Sequence, residues 1–337
     1  MTRYDDIFAV ELDHATYSSA SELGGIQVAD QPKGHERPNF IRMDPPGHTA
    51  HRRTVAPIVA PSNLANFEAL IRQRTSDVLD ALPRHETFDW VERVSTDLTN
   101  MMLATLFDFP WQDRDKLTWW SDVAIANVAS VDAVVHSEEE RTAEMIKMAE
   151  YFRRLWNERI DAPPTFDLVS MLAHSEATRN LDAREFIGTI GLLIVGGNDT
   201  TRNSMSALVE AFDKYPDQLE KLRADPSLIA NAAQEIVRWQ SPVTHMRRTA
   251  LADTELGGQT IKAGEKVVMW YISANRDEQV FPDAERFDVS RANARRHLGF
   301  GHGIHRCVGA KLAEDQLATL IGEIAGRGWR LVPQGAP

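Results

Sequence analysis

The segment "FGHGIHRCVG", from Phe300 to Gly309, contains Cys307, the only cysteine of the chain. Gly301, Gly303 and Gly309 allow the backbone to turn tightly or to approach a flat partner closely. A helical pattern starts just after the cysteine, so the N–H groups of its first turn could stabilise a thiolate. A lone thiolate without zinc-type cysteine and histidine spacing fits haem iron held by one axial cysteine. The alternative, common for free cysteines, is a small buried hydrophobic residue.

A second segment with unusual chemistry is "GGNDTT", from Gly196 to Thr201, in the middle of a long helical pattern. Glycine in a helix interior costs about 1 kcal/mol relative to alanine, and here two glycines precede the polar residues Asp199 and Thr200. Two glycines beside an acid–alcohol pair at the centre of a helix need a stronger reason than ordinary packing. The alternative is a helix kink in which the threonine hydroxyl bonds to a carbonyl of the preceding turn.

Several basic residues could bind carboxylate groups, which require cations or hydrogen-bond donors. His48 and Arg52 are four residues apart on an early helix. Arg248 begins a β-region, and His305 precedes the cysteine by two residues. Alone, each of them would more often be a solvated surface residue.

The elements that must position these segments are mainly helical. Apolar residues recur at helical spacing through the first two thirds of the chain, and one long helix is predicted from Asp182 to Lys214. Asp182 with Glu185 resembles a capping box at its start. After Arg247 the pattern alternates, with glycine turns, and predicts a small β-region before helix resumes. We therefore predict a mainly α fold with a minor β region, in a single domain that spans residues 1–337.

The composition excludes several classes of function. The net charge of −12 argues against general binding to nucleic acid or to an anionic membrane. The longest uncharged apolar run, from Phe186 to Asn198, is shorter than the ~20 residues of a membrane span. One cysteine cannot form an internal disulfide, and the first residues contain charges rather than an apolar signal segment. We therefore expect a cytoplasmic protein with no nucleic-acid partner and no membrane span.

The pattern F-x-x-G-x-x-x-C-x-G of the cysteine segment resembles the haem-binding loop of the cytochrome P-450 monooxygenases, and "GGNDTT" resembles their dioxygen-binding segment. The resemblance covers nearly the whole chain. It implies haem b (protoporphyrin IX iron) as the cofactor and Cys307 as the iron ligand. It also implies that Thr200 hydrogen-bonds dioxygen and that Asp199 relays the protons that break the O–O bond. The other implied cofactor contacts are His305, His48, Arg52, Arg248, Phe300, Gly301 and Gly196.

The same resemblance gives a structural role to Glu235 and Arg238, which share one helix face. By themselves they would be an ordinary exposed ion pair of little value. In the family this pair joins an arginine of a later loop in a buried network, and "FPDAERF" supplies Arg286 for that place. Family members have more chain before "TRYDDIFAV" and after "GWRLVP". We therefore expect a cytochrome P-450 fold that lacks the N-terminal segment and the C-terminal β-segment.

Long stretches such as "HMRRTA" and "VMWYISANRDE" are most similar to soluble bacterial alkane and fatty-acid terminal hydroxylases. This implies insertion of one oxygen atom from O2 into an unactivated C–H bond of an apolar small molecule, at the terminal methyl of medium-chain n-alkanes or fatty acids. The implied substrate contacts are Leu192, Val195, Gly196 and Thr244. The alternatives are sub-terminal or terpenoid oxidation, a non-catalytic haem-binding protein, and a nucleophilic enzyme that uses Cys307 with His305.

Electrons must come from outside, because the chain has no glycine-rich flavin or nicotinamide fingerprint and too few cysteines for an iron–sulfur cluster. We expect a ferredoxin and a ferredoxin reductase as donors. A basic segment of this acidic protein could steer an acidic ferredoxin to the thiolate side of the haem; it contains Arg295, Arg296, Arg306 and Lys311. The alternative is an ordinary solvated cluster of charges.

Overall fold

The computed structural model describes residues 1–30 and 36–334. Their helices are α1 (Tyr4–Leu12), α2 (Gly47–Val55), α3 (Pro61–Asp80), α4 (Asp97–Phe107), α5 (Asp115–Ile125), α6 (Glu138–Ile160), α7 (Leu168–His174), α8 (Ala183–Lys214), α9 (Pro216–Ala224), α10 (Ile229–Gln240), α11 (Tyr271–Ala274) and α12 (Ala310–Gly326). Their strands are β1 (Tyr17–Ser18), β2 (His245–Ala250), β3 (Thr254–Leu256), β4 (Gln259–Ile261) and β5 (Lys266–Trp270). This confirms the predicted mainly α fold with a minor β region.

The longest helix, α8, begins with the predicted capping box. The Asp182 carboxylate accepts hydrogen bonds from the N–H groups of Arg184 at 2.8 Å and Glu185 at 2.9 Å. In return, the Glu185 carboxylate accepts one from the Asp182 N–H at 3.2 Å. These bonds satisfy donors that a helix start otherwise leaves unpaired. The helix ends at Lys214, just before Pro216 opens α9, so the predicted long helix is confirmed with Asp182 as its N-cap.

Two apolar clusters pack on α8 and hold it in place. The first joins α8 to α4, α6 and α7 and includes Leu103, Phe152, Trp156 and Ile190. The second joins α8 to α9, α10 and α12 and includes Leu208, Leu222, Ile236 and Leu320. Each such side chain contributes about 1.5–3 kcal/mol when it is fully buried, so packing on two sides fixes the position of α8. Among the described residues, no helix has both the length and the apolar character to cross a membrane.

The small β part places α1 close to β2. The strands β1, β2 and β5 form an antiparallel sheet in that order, with Tyr17 opposite Ala250. A third apolar cluster joins this sheet to α1 through side chains that include Ile7 and Val10 of α1 and Met269 of β5. The sheet therefore brings the N-terminal helix against a strand that lies more than two hundred residues further along the chain.

Glu235 and Arg238 form a fully buried ion pair on α10. The Arg238 Nε and Nη2 atoms donate to the Glu235 carboxylate at 2.7 and 2.8 Å. A second guanidinium joins them, because Arg291 Nε donates to Glu235 Oε1 at 3.0 Å. The pair is therefore part of a buried network and not the exposed pair of the alternative interpretation.

The assignment of Arg286 as the third member of this network is wrong for its side chain. Arg286 Nη2 pairs with Asp217 at 2.9 Å on the surface. Only the Arg286 carbonyl enters the network, where it accepts from Arg238 at 3.1 Å and from Arg291 at 2.9 Å. The loop turns its backbone carbonyls inward, including those of residues 282–284, and this orientation directs the Arg286 side chain outward.

Candidate active site

A cavity between α8, the cysteine segment and β2 collects most of the residues singled out in the sequence. Its described lining includes Cys307, Phe300 and Gly301 from the cysteine segment and Gly196 and Thr200 from α8. The polar residues Arg52, Arg248 and His305 lie in the same lining. Segments that are distant in sequence therefore meet at one place, which is where a ligand is expected to bind.

The backbone around the cysteine is tightly constrained. Gly301 and Gly303 have φ values of +65° and +63°, in the left-handed region that glycine adopts without strain. A Cβ atom at Gly303 would lie 2.1 Å from the carbonyl oxygen of Glu11, so no side chain fits there. The Cys307 N–H donates to the Phe300 carbonyl at 2.8 Å, which closes the loop. As predicted, a helix follows directly, since α12 begins at Ala310.

The surroundings of the Cys307 sulfur contain groups that favour a thiolate. Burial raises the pKa of the thiol above its ordinary value. The backbone N–H of Gly309 and the charges of Arg52 and Arg306 act in the opposite direction. The thiol is only partly buried in this chain, because it faces the cavity. An electrophilic metal in that space would therefore have a thiolate ligand with stabilising groups already in place.

Arg52, Arg248 and His305 form a polar wall of the cavity, whereas His48 is absent from the described lining. The rings of His48 and His305 meet edge to face with centroids 4.5 Å apart. The ring nitrogens of His305 have no hydrogen-bond partner among the described residues. Burial, followed by the charge of Arg52, lowers the pKa of His48, and the backbone of Ile304 acts in the opposite direction. Burial, together with the charges of Arg248 and Arg52, lowers the pKa of His305 to about 2. His305 is therefore neutral, and its ring keeps an N–H donor free for a ligand.

The two arginines of this wall differ in their partners. Arg52 Nη2 donates to the Arg306 carbonyl at 2.5 Å, whereas its Nη1 is buried and unpaired within the described chain. Arg248 Nη2 donates to the Glu11 carboxylate at 3.2 Å. Buried donors without acceptors are costly, so this wall fits a ligand that supplies carboxylate oxygens. A flat prosthetic group with two carboxylates, as haem has, satisfies that requirement.

Glu11 and the nearby Tyr271 also line the cavity, and sequence reasoning missed both. The Tyr271 hydroxyl donates to the Glu11 carboxylate. One signal could have identified Glu11, since it follows Ile7 by four residues and therefore shares the apolar face of α1. No local signal connects either residue to Arg248.

At the centre of α8, the two glycines have different surroundings. A Cβ atom at Gly196 would meet nothing within 4 Å, since it faces the cavity. A Cβ atom at Gly197 would lie 2.6 Å from the Leu103 side chain, so this glycine permits close packing of α8 on α4. The Thr200 hydroxyl donates to the Gly196 carbonyl at 3.3 Å, which is the bond expected if this segment were only a helix kink. Thr200 also lines the cavity. The first glycine thus leaves space beside a hydroxyl group.

Asp199 does not line the cavity with its neighbour. Its carboxylate accepts a hydrogen bond from Arg202 at 3.1 Å, and Arg202 also donates to Asp122 of α5 at 2.6 Å. The side chain of Asp199 remains 30% exposed, so it lies between the protein surface and the cavity-facing Thr200.

The predicted substrate contacts are only partly brought together. Leu192 and Gly196 line the cavity, but Val195 and Thr244 are absent from its lining. Val195 lies on another side of α8, and the Thr244 hydroxyl instead bonds to His245 Nδ1 at 2.9 Å. The apolar lining that sequence reasoning missed includes Ile26, Phe40, Ile41, Leu193, Val243 and Met246.

Comparisons with known proteins agree with this site. The family model described as "Cytochrome P450" matches residues 132–325. Linalool 8-monooxygenase of Pseudomonas putida is 38% identical over 329 residues, which cover 95% of this chain and 80% of that relative. The solved structure of cytochrome P450-153 from Novosphingobium aromaticivorans aligns with a TM-score of 0.90 at 50% identity, over 98% of this chain and 82% of the other. The structure of CYP153D17 from Sphingomonas sp. PAMC 26605 aligns with a TM-score of 0.88 at 53% identity, over 97% of this chain and 82% of the other.

Proposed function

This chain belongs to the cytochrome P450 family, and we propose that it hydroxylates the terminal methyl group of medium-chain n-alkanes or fatty acids. As a family member it is a haem-thiolate monooxygenase, an oxidoreductase with protohaem as its cofactor. When bound, the haem supplies the activation of dioxygen that lets one oxygen atom enter a substrate C–H bond. The observation that carries the substrate proposal is the apolar lining of the cavity beside Gly196.

That lining comes from three separate parts of the chain. Ile26 and Phe40 belong to the segment between α1 and α2, Leu192 and Leu193 to α8, and Val243 to the turn before β2. An apolar lining selects an apolar substrate, and terminal oxidation further requires that one methyl group be held in position, because inner C–H bonds are weaker. The resemblance to alkane and fatty-acid terminal hydroxylases supports the same substrate class. Terpenoid oxidation is the second candidate, favoured by the identity with linalool 8-monooxygenase.

We assign the cofactor contacts as follows. Cys307 is the iron ligand, and the donors of His48, His305, Arg52 and Arg248 bind the haem carboxylates. Gly196 leaves the space that a bulkier residue on α8 would fill, and Phe300 with Gly301 forms the part of the cavity wall that precedes the cysteine. These assignments leave no role for Cys307 and His305 as a nucleophilic pair, since the His305 ring packs against His48.

We assign proton delivery to Asp199 and Thr200. Asp199 is partly exposed and held by Arg202, so it can take up a proton from outside the cavity. Thr200 is the next residue and faces the cavity, where its hydroxyl can leave its bond to the Gly196 carbonyl, release its own proton into the cavity and take up the one from Asp199. A positioned donor of this kind contributes about 10²–10⁴-fold to a rate.

Replacement of Thr200 by alanine is therefore expected to lower the amount of product formed per dioxygen consumed by about tenfold or more. The measurement compares product yield with oxygen uptake. Thr201→Ala serves as the matched control, because it makes the same change at the next cavity-lining residue. Its product yield should remain that of the wild type. Equal yields for Thr200→Ala and the wild type would favour a haem-binding protein without this proton relay.

A graded series of n-alkanes and fatty acids tests the substrate proposal, with linalool as the terpenoid comparison. With a surrogate ferredoxin and reductase, we expect terminal alcohols from medium-length chains. Leu192→Phe fills part of the cavity and should slow turnover of the longest accepted chain about tenfold. One methylene more or less in an apolar pocket changes kcat/KM roughly 10–200-fold. Val195→Phe lies on the same helix outside the lining and should leave the preference unchanged. Products oxidised only at inner carbons, or only from linalool, would contradict the terminal assignment.

We further propose a ferredoxin and its reductase as the electron donors. Arg295, Arg296, Arg306 and Lys311 are all exposed, although Lys311 also pairs with Asp315 at 2.5 Å. The first three lie along a surface groove beside the cysteine segment. Exposed cations on an acidic protein favour encounter with an acidic partner.

A further inference from the structure

Glu11 is an acid in a part of the cavity whose other groups are suited to binding acids. Its side chain is 1% exposed, and its carboxylate accepts hydrogen bonds from Arg248 Nη2 at 3.2 Å and from the Tyr271 hydroxyl. All three residues line the cavity together with His305 and Arg52. Ionised carboxylates are costly to bury without partners, so this arrangement needs a physical explanation.

The partners of Glu11 are themselves buried and bonded within the protein. Arg248 is 2% exposed, and its Nη1 donates to the Arg247 carbonyl at 2.9 Å. Burial, followed by the nearby Glu11 charge, raises the pKa of Tyr271 well above its ordinary value, so the phenol stays protonated and donates to Glu11. Arg52 differs from Arg248, because its bonded partner is the backbone carbonyl of Arg306. Of these two cations, only Arg248 is held by a buried carboxylate.

The position of Glu11 is fixed relative to the cysteine segment as well. A Cβ atom at Gly303 would lie 2.1 Å from the Glu11 carbonyl oxygen, and one at Gly301 would lie 3.8 Å from Glu11 Oε1. The backbone of α1 and the loop that carries Cys307 are therefore in contact, and the Glu11 carboxylate lies beside that loop. A charge in this position acts on the iron site through protein of low dielectric rather than through water.

We propose that Glu11 is a positioning residue for the haem: it holds Arg248 towards the haem carboxylates, and its buried negative charge lowers the reduction potential of the iron. One-electron reduction of ferric to ferrous iron adds negative charge to the site, so a fixed carboxylate nearby disfavours it. Tyr271 acts with Glu11, because its hydroxyl hydrogen partly neutralises the carboxylate. The inference concerns the haem site and does not depend on which substrate is oxidised.

The test is the ferric–ferrous midpoint potential of the substrate-free holoenzyme, measured by spectroelectrochemistry. Glu11→Gln should have a higher potential than the wild type, and Glu11→Asp, which keeps the charge, should restore most of the difference. Tyr271→Phe keeps the charge and removes a hydrogen bond that weakens it, so its potential should be lower than that of the wild type. Glu255→Gln removes an exposed carboxylate from β3 and should change nothing.

A merely structural role for Glu11 would not produce this pattern of opposite signs. If the potential of Glu11→Gln equals that of Glu255→Gln, the proposal is wrong. It is also wrong if Tyr271→Phe does not lower the potential. Should Glu11→Gln fail to retain haem because Arg248 is left buried and unpaired, Tyr271→Phe and Glu11→Asp still decide the matter: a potential that is not lowered in the first, or one far from wild type in the second, overturns the proposal.

Discussion

Replacement of Cys307 by histidine is expected to reduce product formation to background and to move the Soret maximum of the ferrous carbon monoxide complex to the position of histidine-bound globins. The thiolate pushes electron density onto the iron, and a neutral imidazole does not. The Gly309 N–H and the charges of Arg52 and Arg306 are arranged around a sulfur anion, so they offer a neutral ligand no comparable stabilisation. Carbon monoxide difference spectra and product assays check both parts.

The control for this experiment is Arg306→His, which introduces an imidazole one residue away. The Arg306 side chain is exposed, and its backbone carbonyl still accepts from Arg52 in the variant. We expect it to keep the thiolate spectrum. If freshly prepared wild-type protein already has the spectrum of a histidine-bound globin, Cys307 is not the ligand and the cofactor assignment is wrong.

Replacement of Glu235 by glutamine is expected to destabilise the folded protein by about 3–5 kcal/mol, because it leaves buried charges without their partner. The Glu235 carboxylate accepts from Arg238, from Arg291 and from the Asp288 N–H at 3.0 Å. Glutamine keeps the size of the side chain and removes the charge. The measurement is the urea concentration at which the holoenzyme loses half of the haem absorbance that depends on the thiolate ligand. This midpoint is compared between the variant and the wild type.

Arg286→Gln is the matched control, because it removes the exposed pair with Asp217 and keeps the carbonyl that accepts from Arg238. Exposed pairs are worth about 0–1 kcal/mol, so its urea midpoint should remain close to that of the wild type. A loss as large as that of Glu235→Gln would mean that the Arg286 side chain belongs to the network after all.

Features that depend on residues close together in sequence were predictable. The capping box of Asp182 and Glu185 satisfies its own donors, so the start of α8 follows from four adjacent residues. The same holds for the bend at Gly301 and Gly303, where positive φ values require glycine, and for the helix that follows Cys307. The family resemblance came from the same local motifs, which explains why fold class and cofactor could be inferred without the structure.

The partners of these local features were decided only by the tertiary structure. Arg248 and Glu11 are 237 residues apart, and only the packing of α1 on the sheet brings them together. Arg286 and Arg291 lie in one loop, and the direction of its carbonyls decided which guanidinium entered the network. Helices, strands and tight turns are set by residues a few positions apart, so the sequence alone was enough to predict these elements and the cysteine loop. A side chain meets whichever element packs against it, so the charge environment of the site depended on the whole fold.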